Sequence, residues 1–418
     1  MNIKRLVLGT AAGALAVTGA HAADLPVVVE PVEYVRICDA YGVGFYYIPG
    51  TETCLRVAGR MRVDYQFFGD LSADANDYEI TGRGYDRDGE QGYRFRARAY
   101  LYMDSRTSTE FGLLRTFAEI QFTNDNGGAT NVNLENGFIQ FGGLTFGRTR
   151  SFWDYTDAMG GSQFFFEAPT SDSRATVLAY TAAFGNGFSA SLSIEDSFGE
   201  RAAGIETRAT GAGFRNRVAN FAYEREAWVP DLIANVRVDQ GWGSAQLMGM
   251  VGYREGGFLN GNNTYNTSDS DIAFGVGGGV SVNVPFGTDT SIGIQAAYAH
   301  GAPDYVAADV GNGFVPVSDG YFRNGDLTLT DAFSVAGAIN TSFTPALAYS
   351  LAGGYAYFDQ NQNTYAGDVQ TITVDSYLTY EIVSGFILGA GIQYKYVNTD
   401  NVGDGNALAG FLRAQRTF

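Results

Sequence analysis

The chain has 418 residues, a formal charge of −18 from 27 Lys and Arg against 45 Asp and Glu, and two histidines. That acidic balance argues against a nucleic-acid partner, and His300, the one histidine outside the N-terminal leader, leaves little material for a histidine-based catalytic or metal site. With 55 glycines, 26 tyrosines and 30 phenylalanines against 9 prolines, the composition favours pleated strands and many turns.

Residues 1–22 combine the basic Lys4 and Arg5, an apolar run from Leu6 to Val17 and the small-residue site Ala20-His21-Ala22, the pattern of a secretory signal. No later window offers the roughly 18 uninterrupted apolar residues of a membrane helix, so the exported chain is either soluble or a membrane barrel. Residues 23–54 precede the first predicted strand and carry the only cysteines, Cys38 and Cys54. In an exported chain the pair is expected to be a disulfide that holds this N-terminal extension, with free thiols or a metal pair as the alternative.

From Leu55 to the last residue, segments of about ten residues alternate in polarity, as lipid-facing and lumen-facing positions do in a barrel strand. Val57, Met61, Val63, Tyr65 and Phe67 oppose Arg60, Arg62, Asp64 and Gln66; Leu192 and Ile194 oppose Ser191 and Ser193; Leu388, Ile392 and Tyr394 oppose Gln393 and Lys395. Tight turns are predicted at 184–187, 240–241, 285–287, 344–345 and 384–385. Long polar connections are predicted at 69–91, 197–227, 255–270, 301–330 and 359–370. Short turns at one end and long loops at the other describe a transmembrane antiparallel β-barrel over residues 55–418, with about 16 strands by this count. The last segment ends on the aromatic Phe418.

The strongest charge pattern is Arg94, Arg96 and Arg98, alternating with Phe95 and Ala97; at period two, all three project into the lumen. Arg60 and Arg62 precede them, and Arg115 with Glu119 follows on the next segment, so one basic wall is expected, with pairing to lumen carboxylates such as Asp64 and Asp104 as the bland alternative. A barrel of this size is wide, and residues 151–173 are the candidate for an inward-folded constriction loop. Trp153, Tyr155 and Phe164-Phe165-Phe166 would pin it to the wall, and Asp154, Asp157, Glu167 and Asp172 would face the arginines across the bore. A loop exposed outside the cell is the alternative.

Several segments resemble a known family. Cys38-Asp39-Ala40-Tyr41-Gly42-Val43-Gly44-Phe45-Tyr46-Tyr47-Ile48-Pro49-Gly50-Thr51-Glu52-Thr53-Cys54 is similar to the N-terminal signature of the alphaproteobacterial, rhizobial-type general porins. Gly142-Gly143-Leu144-Thr145-Phe146-Gly147-Arg148, Asn235-Val236-Arg237-Val238-Asp239-Gln240 and the terminal Gln415-Arg416-Thr417-Phe418 add to the likeness. The resemblance implies a homotrimer of 16-stranded outer-membrane barrels, each with an inward third loop, that pass small hydrophilic solutes and ions. It also implies that Phe418 is read by the barrel-assembly machinery. Arg416 departs from the apolar residue that many such proteins place two before the terminal aromatic.

The function expected from the sequence is thus a passive aqueous channel in outer-membrane lipid, with no enzymatic activity, cofactor or metal. A solute-specific channel and a surface-exposed structural or adhesin barrel without conductance are the alternatives. An energised transporter of about 22 strands would need a longer chain.

Overall fold

The computed structural model describes residues 36–70, 92–163, 168–196, 204–206, 223–224, 229–259, 265–308 and 315–418. The predicted leader, most of the connections predicted at 69–91 and 197–227, and residues 164–167 with Glu167 lie outside them. Among the described residues, sixteen strands close into an antiparallel barrel. They are β1 (Cys54–Asp70), β2 (Tyr93–Thr109), β3 (Gly112–Asp125), β4 (Asn131–Phe141), β5 (Leu144–Arg150), β6 (Arg174–Gly185), β7 (Phe188–Glu195) and β8 (Asp231–Gln240). The second half comprises β9 (Gly243–Leu259), β10 (Tyr265–Val284), β11 (Asp289–His300), β12 (Asp331–Thr344), β13 (Leu347–Asp359), β14 (Val369–Val383), β15 (Phe386–Thr399) and β16 (Gly403–Thr417).

Each strand pairs with its successor, and β16 returns to β1 in a register running from Arg60↔Thr417 to Asp70↔Ala407. A free edge would leave a row of N–H and C=O groups unpaired, which lipid cannot satisfy. The last residue extends the seam: Gly59 N–H donates to the Phe418 carbonyl and Phe418 N–H to the Gly59 carbonyl, both at 2.9 Å. Gly59 is required there, because a Cβ would sit 2.5 Å from Cζ of the Phe418 ring.

The predicted alternation is realised as two faces. Val57, Val63, Leu192, Val236 and Ile392 are exposed on the outer surface, whereas Asp64, Gln66 and Gln393 point inward and are buried. The sequence left these inward polar faces in water; many are covered, because two loops fold into the barrel. Tight turns occur at every predicted position, and further ones join β2 to β3 and β4 to β5. The predicted long connection at 255–270 is mostly strand instead, with Gly256↔Asp269 and Gly257↔Ser268 paired in register. Arg254, Glu255 and Gly256 are buried there, Gly256 against Ile205, Leu327 and Phe322, so the polarity alternation fades while the hydrogen-bond ladder continues.

The extension is tied to the foot of β1. Cys38 and Cys54 form a disulfide with Cα atoms 6.0 Å apart, both buried with Phe45, and Tyr46 and Tyr47 pair with Leu55 and Cys54. The Arg56 and Arg106 guanidinia stack over Phe45 at 5.2 and 4.9 Å, which anchors the extension at the turn end of the barrel.

Substituting Gly59→Val would push the Phe418 ring off the seam, and because that ring is exposed and can swing away the cost falls at the low end of overpacking, about 1 kcal/mol. The expected outcome is a lower urea midpoint for the refolded barrel and a smaller heat-modifiable, folded fraction on electrophoresis; an unchanged midpoint would show that the ring does not need the glycine.

Candidate functional site

Closure of the barrel sets three strands side by side, and their inward residues form a basic wall. Across β1 and β2 the register places Arg60 opposite Tyr100, Arg62 opposite Arg98, Asp64 opposite Arg96 and Gln66 opposite Arg94. From the other side β16 brings Arg413 opposite Asp64 and Gln415 opposite Arg62. Arg413 donates to Asp64 through Nε at 2.7 Å and Nη2 at 3.1 Å, both side chains being nearly fully buried. Arg96 holds Asp125 in a two-pronged contact of 2.7 and 2.8 Å, and Arg94 Nε donates to Gln66 at 2.6 Å.

Arg60, Arg62 and Arg98 gather instead around one ring. The Arg60 guanidinium lies 3.7 Å from the centroid of Tyr100, and those of Arg62 and Arg98 lie at 5.5 and 5.9 Å. Arg62 Nε donates to Gln415 at 3.2 Å and Arg98 Nε to Thr123 at 2.8 Å.

Arg115 stands apart from this group. It grips Asp104 at 3.0 and 3.1 Å together with Arg106, opposite Arg106 in register and close to the turn between β2 and β3. Period two fixes the face of a residue but not its height along the strand, and Arg115 lies at the end of the barrel that carries the N-terminal extension. Glu119 accepts from Asn136 at 2.7 Å, opposite Tyr102 and between the two groups.

The loop between β5 and β6 folds inward and runs along the wall. Its start is fixed to β8 and β9: Asn235 donates to the Phe152 carbonyl at 2.6 Å, Gln246 to that of Trp153 at 3.1 Å, and the Tyr155 hydroxyl to that of Ser244 at 2.8 Å. Burial pushes the Tyr155 phenol above its ordinary value, the Ser244 contact opposing the shift. Further on, Gly161 N–H donates to Asn340 at 2.8 Å and Gln163 N–H to Asp375 at 3.2 Å. Arg413 then donates to the Gln163 side chain at 2.8 Å, so the loop reaches the edge of the basic wall.

Glycines make the room for this path. A Cβ at Gly279 would collide with the Tyr155 ring and one at Gly293 with the Ala158 backbone, while Gly277 would meet Trp153 at 3.3 Å. The inward series Gly275, Gly277 and Gly279 in β10 was the sequence signal for a close approach at this wall, and it was not recognised as one.

The described loop carboxylates, Asp154, Asp157 and Asp172, do not face the arginine row. Asp154 closes the loop's own base, accepting from Ser171 at 2.6 Å and from Ser173 N–H at 2.8 Å. Asp157 accepts from Arg237 of β8 and from Ser244, both at 2.5 Å. Asp172 is held by Arg150 at 2.6 Å and Arg174 at 3.0 Å. A loop lying flat on a wall finds the donors of that wall nearer than those across the lumen.

A second inward loop was missed by sequence reasoning, which left residues 301–330 as a long polar connection. Ala302, Tyr305 and Val306 are fully buried. Trp153 Nε1 donates to the Tyr305 carbonyl at 2.8 Å, and the Tyr305 hydroxyl to Asp231 at 2.8 Å. Asp231 in turn pairs with Arg254 at 3.0 Å, with side-chain exposures of 0% and 2%, and Arg254 Nε donates to the Gly301 carbonyl at 3.0 Å. One buried ion pair thus joins the barrel wall to both inward loops.

A closed sixteen-strand barrel with an apolar outside, a charged inside and a loop folded into it defines a channel protein of the outer membrane. A family model described as Porin subfamily matches residues 24–412, and the chain belongs to that family. It is 31% identical over 439 residues to porin Omp2b of Brucella suis biovar 1 (strain 1330) and 30% identical to porin Omp2b of Brucella melitensis biotype 1, covering 100% of both chains in each case. The outer-membrane channel DcaP of Acinetobacter baumannii shares the fold at a TM-score of 0.65 and 16% identity, over 89% of this chain and 99% of that one. Salmonella typhi OmpF, solved in complex with daunomycin, does so at 0.50 and 11%, over 88% and 98%. The protein is an outer-membrane porin.

Truncating Asp231→Ala would remove the carboxylate that grips buried Arg254 in a two-pronged contact, with the charge of Asp319 still acting on it, at a cost approaching the roughly 3–5 kcal/mol of a broken buried pair. The variant is expected to unfold at markedly lower denaturant and to show noisier single-channel current as both loops loosen. Wild-type stability together with quiet current would mean that the ion pair does not hold the loops.

Proposed function

We propose that the chain is a passive channel for small hydrophilic solutes and ions, crossed between the basic wall of β1, β2 and β16 and the inward loop carried by the facing wall. The observation that supports this reading best is the division of the interior: Arg60, Arg62, Arg94, Arg96 and Arg98 share one wall, while the loop is bonded along the other from β8 to β14. Polar walls with fixed charges stabilise hydrated solutes and disfavour apolar ones. Arg115 and Glu119 would be met nearer the turn end. Asp157 and Asp172 shape the loop side, and Asp154 keeps the loop closed on itself.

Two further parts of the reading rest on family membership. Three barrels would associate as a homotrimer, and Phe418, whose ring is exposed beside the seam, would be the residue that the assembly machinery reads before closure. A second reading, a barrel that does not conduct, is favoured by one observation: the 301–330 loop fills part of the interior with buried residues such as Tyr305 and Phe322.

The purified chain inserted into a planar bilayer under a salt gradient separates the two. Stepwise ohmic openings, grouped in threes for a trimer, are expected for a passive channel, and the reversal potential reads its ion preference. A folded, inserted barrel that carries no current would leave the structural reading in its place.

A further inference from the structure

The basic wall is not uniform. Arg96, Arg115, Arg174, Arg237, Arg254 and Arg413 each have a carboxylate oxygen within 4.0 Å. Among the described residues, Arg60, Arg62 and Arg98 have none, and the hydrogen bonds of Arg62 and Arg98 go to neutral partners. Arg62 and Arg98 nevertheless stand directly opposite each other in the ladder, an arrangement of like charges that is destabilising by itself. Arg60 Nε is buried without any acceptor.

The surroundings fix the three side chains without neutralising them. Tyr100 is buried and offers its ring face to Arg60, while Gln415 and Thr123 take only the Nε protons of Arg62 and Arg98. That leaves Arg62 with both terminal nitrogens, and Arg98 with one, free to donate. Of the acids near them, Asp64 and Asp125 are already engaged by Arg413 and Arg96, while Glu119, opposite Tyr102 on β3, is held by the neutral Asn136 rather than by any of the three guanidinia. Three held guanidinia within 6 Å of one ring centroid, with spare donors in planar forks, match the oxygens of a compact multivalent anion.

We propose that Arg60, Arg62 and Arg98 form a saturable binding site for a small multiply charged oxyanion of the phosphate type, free inorganic phosphate or the phosphate group of a small ester. The side chains point into the lumen, so membrane lipid headgroups cannot supply the anion. A divalent anion gains about twice the attraction of chloride from the same fixed charges, so the site selects by charge as well as by fork geometry. The proposal rests on the channel reading only for its effect on current; binding itself does not depend on it.

Two measurements on the full-length protein test it. Titrating inorganic phosphate at constant ionic strength into a bilayer carrying potassium chloride current should lower the conductance along a saturating curve at millimolar concentrations, and glycerol phosphate tests whether an esterified phosphate is accepted as well. The double variant R62Q/R98Q, read as fractional block against its own chloride conductance, should require at least tenfold more phosphate for the same effect. Calorimetric titration of the detergent-solubilised protein with inorganic phosphate gives a second readout, with the same tenfold weakening expected once the folded state of the variant is confirmed by heat modifiability. A wild-type channel that conducts chloride with no saturable phosphate effect and no calorimetric binding would overturn the site and leave the channel reading intact. Phosphate binding without any current would uphold the site and overturn the channel reading. Equal phosphate affinity in wild type and R62Q/R98Q would also overturn the proposal.

Discussion

The structure depends on the demand that no backbone donor or acceptor be left unpaired in lipid. That demand forces β16 onto β1, and the seam then sets what lies next to what: Asp64 meets Arg413, 349 positions away in sequence, and Gln415 comes to Arg62. The basic wall is therefore a product of closure. Without the pairing of the two ends, β1 and β2 would still carry Arg60, Arg62, Arg94, Arg96 and Arg98 on one face, but Asp64 would lack its buried partner and the inward loop would lose the Gln163 contact at its far end.

Local pairing decides the electrostatics of such an interior more than total charge does. The chain is strongly acidic at −18, and the sequence suggested a row of loop carboxylates set against the arginines. Each described loop carboxylate is engaged by a donor on its own side of the lumen: Asp157 by Arg237, Asp172 by Arg150, Asp154 by the loop's own base. Those pairs are short and partly buried, so they hold the loop in place and cancel locally. Among the described residues of β1 and β2, the group around Tyr100 projects as unneutralised charge, and it is positive.

Strand existence and strand face were legible in the sequence, because a period of two survives wherever one side meets lipid and the other does not, as at Val57 to Gln66. The tight turns were legible from their glycines, asparagines and prolines, and the Cys38–Cys54 pair from its isolation in an exported chain. Height along a strand was not. Arg115 and Arg98 have the same orientation, yet only the register between β2 and β3 places Arg115 beside Arg106 and Arg98 beside Thr123. The inward course of residues 302–306 was hidden as well, since a polar stretch with scattered Tyr305, Val306 and Val317 reads as a surface loop until Asp231 and Arg254 supply its buried anchor.

The alternation that made the barrel readable also conceals a division of labour among its inward residues. A lumen-facing polar side chain can stay in water, or it can become an anchor once a loop lies over it; the sequence looks the same in both cases. Asn235, Gln246 and Asn340 took the second course: Asn235 and Gln246 donate to loop carbonyls and Asn340 accepts from a loop N–H, so that a covered side chain keeps a partner. Glycine does the complementary work at Gly277, Gly279 and Gly293, where the loop needs space more than a bond. The facing wall differs: its inward positions carry long arginines, and the loop reaches it only at Arg413, which is buried with Asp64 as its counter-ion. Loop course and charged wall are thus two consequences of one choice, made strand by strand, of how much side chain points inward.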